Sequence, residues 1–477
     1  MLGWEFPPHI SGGLGTACQG IVSALGKIPD TKIIFLVPKV FGDEKSKNTV
    51  FVGANRYAEQ LSTVLNRKVK ILEKPKLTYV ETESFLRPYL TEADFFVAEE
   101  EKENEKTTTE NKTENKTENQ TETAKVSTET IKKSVKKFEF TGKYTENLYT
   151  ETAMYAKVAE QIAQNFDFDV IHAHDWLTYE AGIAIKKATG KPLVIHVHAT
   201  EFDRSNGMNE TVLNIEKHGM QEADKVVTVS NLTKEIVEEK YEIPKEKIQT
   251  VYNAVSFRPV RKKTKYKKDP KTKIVTFLGR ITYQKGPEYF LRAAYKVLQK
   301  TDNVRFVMAG NGDMYREMIR MSAHLGIADR FHFTDFLDKD EVKQMFSISD
   351  VYVMPSVSEP FGIAPLEAVR SGVPVIISNQ SGVAEVLESA VKIDYWDVNA
   401  MADAIYGLVK YPALSKFFKR RAEEQVKKMK WDKPAADLNE IYKEVVLSAS
   451  DEEKDVKMNV GHRPETTLSK QTKTEKS

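Results

Sequence analysis

The sequence has almost no cysteine: Cys18 is the single one among 477 residues. One cysteine excludes a disulfide within the chain and any metal site built from several cysteines. Long apolar runs are also lacking, since none approaches the ~18 residues that a membrane span needs. No charge of one sign dominates, because 71 Lys and Arg residues nearly cancel 69 Asp and Glu residues, for a net charge of +2. That balance argues against a dedicated nucleic-acid-binding protein, which would carry a strong basic excess.

The amino terminus, MLGWEFPPHI, does not have the basic region followed by an apolar core that marks a secretory signal. We therefore expect a cytoplasmic protein. The following segment, through ISGGLG, is typical of a turn after a first strand, yet only Met1 and Leu2 precede GWEFPP where that strand is expected.

Two segments have the composition of disordered chain. Residues 99–137 are nearly all Glu, Lys, Thr and Asn, with no aromatic residue. Such a segment cannot bury enough apolar surface to offset the entropy lost on ordering, so it predicts a disordered insertion. The charged tail at 450–477 is predicted to be disordered as well.

The rest of the chain alternates short β-branched runs with longer amphipathic stretches, which predicts parallel sheets covered by helices. The predicted fold class is α/β, with two Rossmann-like parallel-sheet domains that face each other across a cleft. Strands are predicted at 31–38, 169–174, 192–198, 225–230 and 248–253, and, after a basic linker at 260–273, at 274–279, 304–310, 330–335, 350–356 and 374–378. The predicted domains are 1–255 and 256–430, followed by a helix at 431–449 that crosses back to the first domain.

The segment VSEPFGIAPLEAVRSGVPVI, at 357–376, places an acid on either side of a loop that leads into a helix. Glu359 follows a strand, and Glu367 falls in the first turn of a helix with Pro365 near its start. Free amides at a helix start can bind an anion, and carboxylates accept hydrogen bonds from sugar hydroxyls. These residues favour a nucleotide-sugar site. A solvated Glu359 and a Glu367 that only complements the helix dipole would explain the same pattern.

The first strand of the second domain is followed by Gly279-Arg280 and, five residues after the arginine, by Lys285-Gly286. A guanidinium offers two parallel donors and an ammonium a compact positive charge. Together they could neutralise a diphosphate leaving group without a metal ion.

These motifs occur in a recognisable order. G-R-x4-K-G at 279–286, AGNGD at 309–313 and E-x7-E at 359–367 resemble the retaining GT-B glycosyltransferases of the GT4 type. GGLGT at 12–16, HAHDW at 172–176 and HVHATEFDR at 196–204 are similar to bacterial and archaeal glycogen and starch synthases. The resemblance implies transfer of a hexose, foremost glucose, from ADP- or UDP-glucose to an α-glucan. The nucleotide-sugar is then a co-substrate, and no cofactor is implied.

The resemblance also implies roles for individual residues. Arg280 and Lys285 would hold the diphosphate, Glu359 would bind the transferred sugar, and His198 would contact it near the reacting carbon. The implied donor-binding residues are Gly12, Gly13, Gly310, Asn311, Phe361, Gly362, Ile363, Ala364 and Glu367, and the implied acceptor-binding residues are Asp175, Trp176 and Glu201.

No metal site is predicted. Asp167 and Asp169 form a D-x-D pattern, but they lie at a strand entry, which is typical of a solvated turn. His172 and His174 share one face of a strand, yet no third ligand is evident near them in the sequence. Ser11 replaces the lysine that typical bacterial glycogen synthases carry before the two glycines, so the donor base stays open between ADP and UDP.

Two alternatives remain from the sequence. One is a transferase of surface polysaccharide or glycolipid synthesis that uses another nucleotide-hexose, for which the basic linker is the single candidate for membrane contact. The other is a protein that binds nucleotide-sugars without catalysis. The expected partners are a nucleotide-sugar donor and a carbohydrate acceptor, with no nucleic acid.

Overall fold

The computed structural model describes residues 1–10, 12–56, 140–144, 147–204, 208–256 and 269–460. The predicted insertion at 99–137, the tail beyond 460 and most of the basic linker lie outside these ranges.

The first lobe contains two groups of parallel strands with helices packed on them. The strand order is β1-β2 in one group and β3-β4-β5-β6 in the other. The elements are α1 (Gly13–Leu25), β1 (Ile33–Val37), β2 (Thr49–Gly53), α2 (Leu148–Ala163), β3 (Ile171–His174), α3 (Trp176–Thr189), β4 (Leu193–Val197), α4 (Glu201–Arg204), α5 (Glu210–Glu222), β5 (Lys225–Thr228), α6 (Asn231–Lys240) and β6 (Ile248–Thr250).

Leu2 joins the two strand groups of the first lobe. It forms parallel bridges with Leu36 on one side and Ala173 on the other. Its amide donates to the carbonyl of His172 at 2.7 Å, and its carbonyl accepts from the amide of His174 at 3.0 Å. Met1 and Leu2 therefore occupy the place of the first strand that the sequence predicts, between β1 and β3.

The second lobe is one six-stranded parallel sheet with the order β12-β11-β10-β7-β8-β9. The chain order reverses between β7 and β10, and ligands in such sheets bind beyond the carboxyl ends of the strands at this reversal. The elements are β7 (Lys273–Leu278), α7 (Pro287–Leu298), β8 (Val304–Ala309), α8 (Tyr315–His324), β9 (Phe331–Thr334), α9 (Lys339–Ile348), β10 (Val351–Met354), α10 (Ala364–Arg370), β11 (Val375–Ser378), α11 (Val383–Val386), β12 (Val391–Ile393), α12 (Val398–Lys410) and α13 (Pro412–Val426).

The last helix, α14 (Asp432–Val460), returns from the second lobe to the first and packs against α1. Its apolar face belongs to the core that lies between α1 and the first-lobe sheet; the residues that it contributes, with Trp431 before it, are Ala435, Leu438, Ile441 and Val445. The prediction that disorder begins at 450 is wrong for 450–460, because the helix continues eleven residues past 449. Residues 451–458 are mostly Asp, Glu, Lys and Met, and Glu, Lys and Met have high helix propensity, while the first helix-breaking residue is Gly461.

None of the helices in the described ranges combines the length and the apolar composition that a membrane crossing requires.

The packing of α14 on the first lobe gives a test of stability. Leu438 is fully buried, and Leu447 on the same helix is 65% exposed. We expect Leu438→Ala to lower the free energy of unfolding by about 2–5 kcal/mol, since it removes buried methyl groups and leaves a cavity. Leu447→Ala should change it by less than about 0.5 kcal/mol. Urea unfolding followed by circular dichroism measures both, and equal losses in the two variants would contradict this packing.

Candidate functional site

Three loops meet at the carboxyl edge of the second-lobe sheet, at the reversal of strand order. Arg280 and Lys285 follow β7, Asn311 follows β8, and Glu359 follows β10. The loops after β7 and β10 are tied together, because the amide of Val357 donates to the carbonyl of Gln284 at 2.8 Å. Residues that are up to 79 positions apart in the sequence thus lie at one edge, as the sequence predicts.

Lys285 and Glu359 form an ion pair at the centre of this edge. The ammonium Nζ lies 2.7 Å from the carboxylate Oε2, and the two side chains are 18% and 12% exposed. The hydroxyl of Ser356 donates to the same oxygen at 3.2 Å. The backbone of Glu359 is held as well, since its amide donates to Gln380 and its carbonyl accepts from Gly382. The carboxylate of the pair is therefore held by its backbone as well as by Ser356.

Arg280 lies half-buried in the same loop as Lys285. Its guanidinium donates to the amide oxygen of Gln284 at 3.3 Å, and Gln284 is itself 3% exposed. The guanidinium also opposes the rise in the pKa of the Asp313 carboxyl, which burial raises. This cation therefore lies between the β7 loop and the AGNGD loop.

Gly310 brings the loop after β8 into contact with the backbone of the loop after β7. Its φ is +130°, and an added Cβ would lie 1.9 Å from the carbonyl oxygen of Gly279. No other residue fits this position. Asn311 continues the loop, where its carbonyl accepts from the Ile281 amide at 2.9 Å and its side chain donates to Asp335 at 2.8 Å.

The loop before α10 presents backbone donors to the same edge. The amides of residues 361–364 donate to no oxygen of the residues that the structure describes. Gly362 has a φ of +94°, and its Cβ position is crowded by Glu359 and Met354. The amide of Leu366, further into α10, is not free, because it donates to the carbonyl of Ile363 at 3.0 Å.

The side chains of this segment differ in burial. Phe361 is 2% exposed and belongs to the core, whereas Ile363 and Ala364 are half-buried. Burial raises the pKa of the half-buried Glu367, and Arg370 opposes that rise.

The first lobe contacts this edge directly. The hydroxyl of Ser358 donates to the carboxylate of Asp203, and the 3-10 turn Tyr283–Lys285 lies against α4. Lys339 also donates to Gln19 on α1 at 2.9 Å. The ion pair of Lys285 and Glu359 therefore lies where the two lobes meet.

Gly12 and Gly13 lie at the start of α1. Gly12 has an extended backbone, with a φ of −166°, that any residue adopts. An added Cβ at either position would meet no described atom within 4 Å. Among the described residues, neither backbone conformation nor packing requires glycine at these two positions.

The expected acceptor-binding residues do not lie at a surface. Asp175, Trp176 and Glu201 are each 2% exposed. Trp176 packs in the core against Tyr149, with a ring-centroid distance of 5.9 Å, so it offers no free face on which a sugar could stack. The sequence identifies the residue types here but not their exposure, and direct contact of the Trp176 ring with an acceptor does not agree with its burial.

Asp175 holds the loop that contains His198. Its carboxylate Oδ1 accepts from the amides of His198 at 2.9 Å and Ala199 at 3.2 Å. Asp175 itself has a φ of +61°, a strained conformation for a residue other than glycine. The aspartate therefore acts within the protein, by fixing the backbone at the end of β4.

A buried ionic cluster, not identified from the sequence, supports the same loop. The guanidinium of Arg204 contacts Glu216 at 2.6 Å, Glu201 at 3.7 Å and Asp175 at 3.9 Å. The hydroxyl of Tyr241 donates to Glu216 as well. Burial raises the pKa of Glu216 to about 7, against the opposing effect of Arg204. One cation faces three carboxyls, so a proton retained on one of them limits the buried negative charge.

Four histidines line one face of β3 and β4. His174 lies opposite His196 in the strand register, and His172 and His198 extend the row on either side. The Nδ1 of His174 lies 3.0 Å from the Nε2 of His198. The sequence near His172 and His174 shows no third possible metal ligand. In the fold, the neighbouring strand β4 brings His196 next to them.

Asp167 and Asp169 are exposed before the start of β3, at the opposite end of that strand from Asp175. The D-x-D pattern is thus a solvated turn, as predicted.

Two family models match the chain. The model described as "Glycosyl transferases group 1" matches residues 260–425, which form most of the second lobe. The model described as "Glycosyltransferase Family 4" matches residues 134–258 of the first lobe.

Individual proteins are similar to the chain over both lobes. An uncharacterized glycosyltransferase of Methanocaldococcus jannaschii is 31% identical over 295 residues, which cover 58% of this chain and 75% of that protein. A glycogen synthase of Mycobacterium tuberculosis is 26% identical over 288 residues, covering 57% of this chain and 68% of that enzyme. A structure of Anabaena HepE in complex with UDP and glucose superposes with a TM-score of 0.52 at 18% identity, covering 61% of this chain and 82% of that one. This last likeness confirms the expected α/β fold with two lobes.

The buried cluster around Arg204 predicts a pH dependence of stability. The pKa of Glu216 is about 7 in the folded chain, against 4.5 for an ordinary glutamate. The folded state therefore binds a proton that the unfolded state has released, and stability falls as pH rises between these values, by at most about 1.4 kcal/mol per pH unit. We expect Glu216→Gln to flatten this slope in urea unfolding, whereas Glu239→Gln, at an exposed position of α6, should keep it. Identical slopes in the wild type and Glu216→Gln would contradict the raised pKa.

Proposed function

The chain belongs to the glycosyl transferase group 1 family, and we propose that it transfers glucose from ADP- or UDP-glucose to the end of an α-glucan, with retention of the anomeric configuration. Its fold is GT-B. The observation that carries the proposal is the ion pair of Lys285 and Glu359, which lies at the same sheet edge as Arg280 and as the amides before α10 that donate to no described oxygen. Similarity to a glycogen synthase supports the glucan acceptor, and similarity to a protein bound to UDP and glucose supports the donor.

The donor diphosphate would bind between Arg280, Lys285 and the amides of residues 361–364. All of these groups donate hydrogen bonds, and the two side chains carry positive charge. The close contact between Gly310 and Gly279 lets the backbone of two loops approach the same phosphate. Donors that are already in position stabilise charge on the leaving group without rearranging during the reaction. In this proposal the leaving diphosphate needs no metal ion.

Glu359 would bind hydroxyls of the transferred glucose. The ammonium of Lys285 has three hydrogens, so it can keep its contact with Glu359 while it donates to a phosphate oxygen. The ion pair then sets the distance between the carboxylate that holds the sugar and the cation that holds the leaving group. In a retaining reaction of this kind the bond to the diphosphate breaks, and the acceptor hydroxyl attacks the same face of the sugar and loses its proton to the departing phosphate.

The remaining residues expected to bind the donor would contact its ribose, its base or phosphate, and its sugar. Glu367 would accept hydrogen bonds from the ribose hydroxyls, and the backbone around Asn311 would lie beside the phosphate or base. Gly12 and Gly13 would let the start of α1 approach the donor, because no described protein neighbour requires glycine there. His198 would contact the sugar near the reacting carbon, on a backbone that Asp175 holds in place.

The acceptor would bind on the first lobe, above the buried cluster of Arg204. Asp175, Trp176 and Glu201 lie beneath that surface and would act as positioning residues for the loop after β4. Their contacts support this role, since Glu201 and Asp175 both lie within 4 Å of the Arg204 guanidinium.

The function is tested by incubating the full chain with UDP-glucose or ADP-glucose, labelled in the sugar, and glycogen. We expect transfer of label to polymer from one of the two donors, and release of the label by an α-specific glucosidase, as retention requires. If neither transfer nor slow donor hydrolysis occurs, while a nucleotide-glucose still raises the melting temperature, the chain is a binding protein and the proposal fails.

Lys285→Ala tests the assignment of the leaving-group cation. The substitution removes the ammonium and leaves Glu359 without its counter-charge, so we expect turnover to fall about 10²-fold or more. The measurement is kcat with saturating donor. Lys296→Ala makes the same chemical change at an exposed position of α7 and should leave kcat unchanged. A near-normal kcat for Lys285→Ala would exclude this role.

A further inference from the structure

Three imidazoles converge in the interior of the first lobe, on the face of β3 and β4 that α1 and α14 cover. His172, His174 and His196 are each at most 1% exposed, and one ring nitrogen of each lies within 4.8 Å of the others. The ring centroids of His172 and His174 are 4.2 Å apart, and that of His196 lies 5.3 and 5.4 Å from them. The three side chains belong to adjacent strands, so the sheet holds them in this arrangement.

Four nitrogens of these rings have no hydrogen-bond partner among the described residues. They are the Nε2 atoms of His172 and His174 and both ring nitrogens of His196. Buried polar atoms in proteins are nearly always paired, and a cluster of unpaired ones in one place indicates a missing ion or water. A single metal ion would take the lone pairs of three of these four nitrogens.

The other nitrogens of His172 and His174 have hydrogen-bond partners that can set the tautomers of these two rings. The Nδ1 of His172 lies 2.6 Å from the hydroxyl of Tyr442 on α14, and the Nδ1 of His174 lies 3.0 Å from the Nε2 of His198. When Nδ1 carries the proton and donates it to these partners, each Nε2 keeps a free lone pair. Protein metal sites use the same device, in which a hydrogen bond from the second nitrogen fixes the tautomer of a ligating histidine.

Burial in the interior also disfavours the charged form of these imidazoles. Burial lowers the pKa of all three rings well below the usual range, and the neighbouring histidines lower it further. Neutral imidazole is the form that binds metal ions.

We propose that His172, His174 and His196 bind one divalent metal ion of the zinc class, in a structural site beneath α1 and α14. Three imidazole nitrogens suit zinc, and cobalt occupies the same kind of site. A water molecule would complete four-coordination. The site is distinct from the proposed donor site at the edge of the other lobe, and metal binding here does not depend on the proposed transfer reaction.

Cys18 belongs to a second group of possible ligands with His174 and His198. The three-histidine set is favoured because the Nε2 of His198 already lies 3.0 Å from the Nδ1 of His174, whereas the nitrogens of His196 have no partner. Burial also raises the pKa of the Cys18 thiol, and Glu5 and Asp175 raise it further.

The proposal is tested on the full chain by elemental analysis and cobalt spectroscopy. We expect about one zinc ion per chain after purification without chelators. Protein that is unfolded, stripped of metal and refolded with cobalt(II) should show the visible absorption of a four-coordinate cobalt ion with nitrogen ligands. Absence of both the zinc and the cobalt absorption would overturn the proposal.

Variants identify the ligands. His196→Gln should abolish the cobalt absorption, and His218→Gln, at an exposed position of α5, should leave it unchanged. If His196→Gln does not fold, Tyr442→Phe provides a milder change, with an expected 10- to 100-fold loss of affinity for zinc in competition with a chelator. Cys18→Ser should retain the absorption. Loss of metal in Cys18→Ser with retention in His196→Gln would overturn the proposed ligand set.

Discussion

The ion pair of Lys285 and Glu359 constrains the whole candidate site. It joins the loops after β7 and β10 at the point where strand order reverses, and both side chains are largely shielded from solvent. Shielded charges are weakly screened by salt, and removal of one leaves the other buried and unpaired, which is strongly destabilising. The pair therefore keeps a cation and a carboxylate at a fixed separation before any ligand binds. In a diphosphate-linked sugar, a cation suits the diphosphate and a carboxylate suits the sugar hydroxyls, on either side of the bond between them.

The same edge of the second lobe is tied to the first lobe by short polar contacts. Ser358, next to the carboxylate of the ion pair, donates to Asp203 on α4. Arg204 on the same short helix lies among three buried carboxyls. A four-residue helix has little stability of its own, so this cluster holds α4 against the lobe. The acidic and basic residues of the EFDR segment, Glu201–Arg204, thus serve as internal support.

Most of the strands follow from the sequence, because parallel strands buried on both faces read as continuous apolar runs. The run at 274–279 is shifted by one residue from β7, and the run at 304–310 is one residue longer than β8. The outer strands β2 and β12 are not among the strands that the sequence predicts. Exposure could not be predicted either: Trp176 beside Asp175 has the composition of a sugar-binding platform, and its burial depends on packing against α2. The convergence of Arg280, Lys285 and Glu359 was predictable because the carboxyl ends of parallel strands share one edge.

The sequence alone does not identify the cluster of His172, His174 and His196, because the cluster depends on strand register. His172 and His174 share a strand face by spacing alone, but the position of His196 opposite His174 depends on how β4 pairs with β3, which local sequence does not specify. Strands β3 and β4 connect the histidine cluster with the candidate site. One face of the two strands carries the imidazoles under α1 and α14, and their carboxyl ends lead into Asp175 and His198. His174 belongs to both regions, because its Nδ1 lies in hydrogen-bond distance of His198. A metal ion on the other nitrogen of His174 would fix that ring, and the orientation of His198 at the cleft would follow from it.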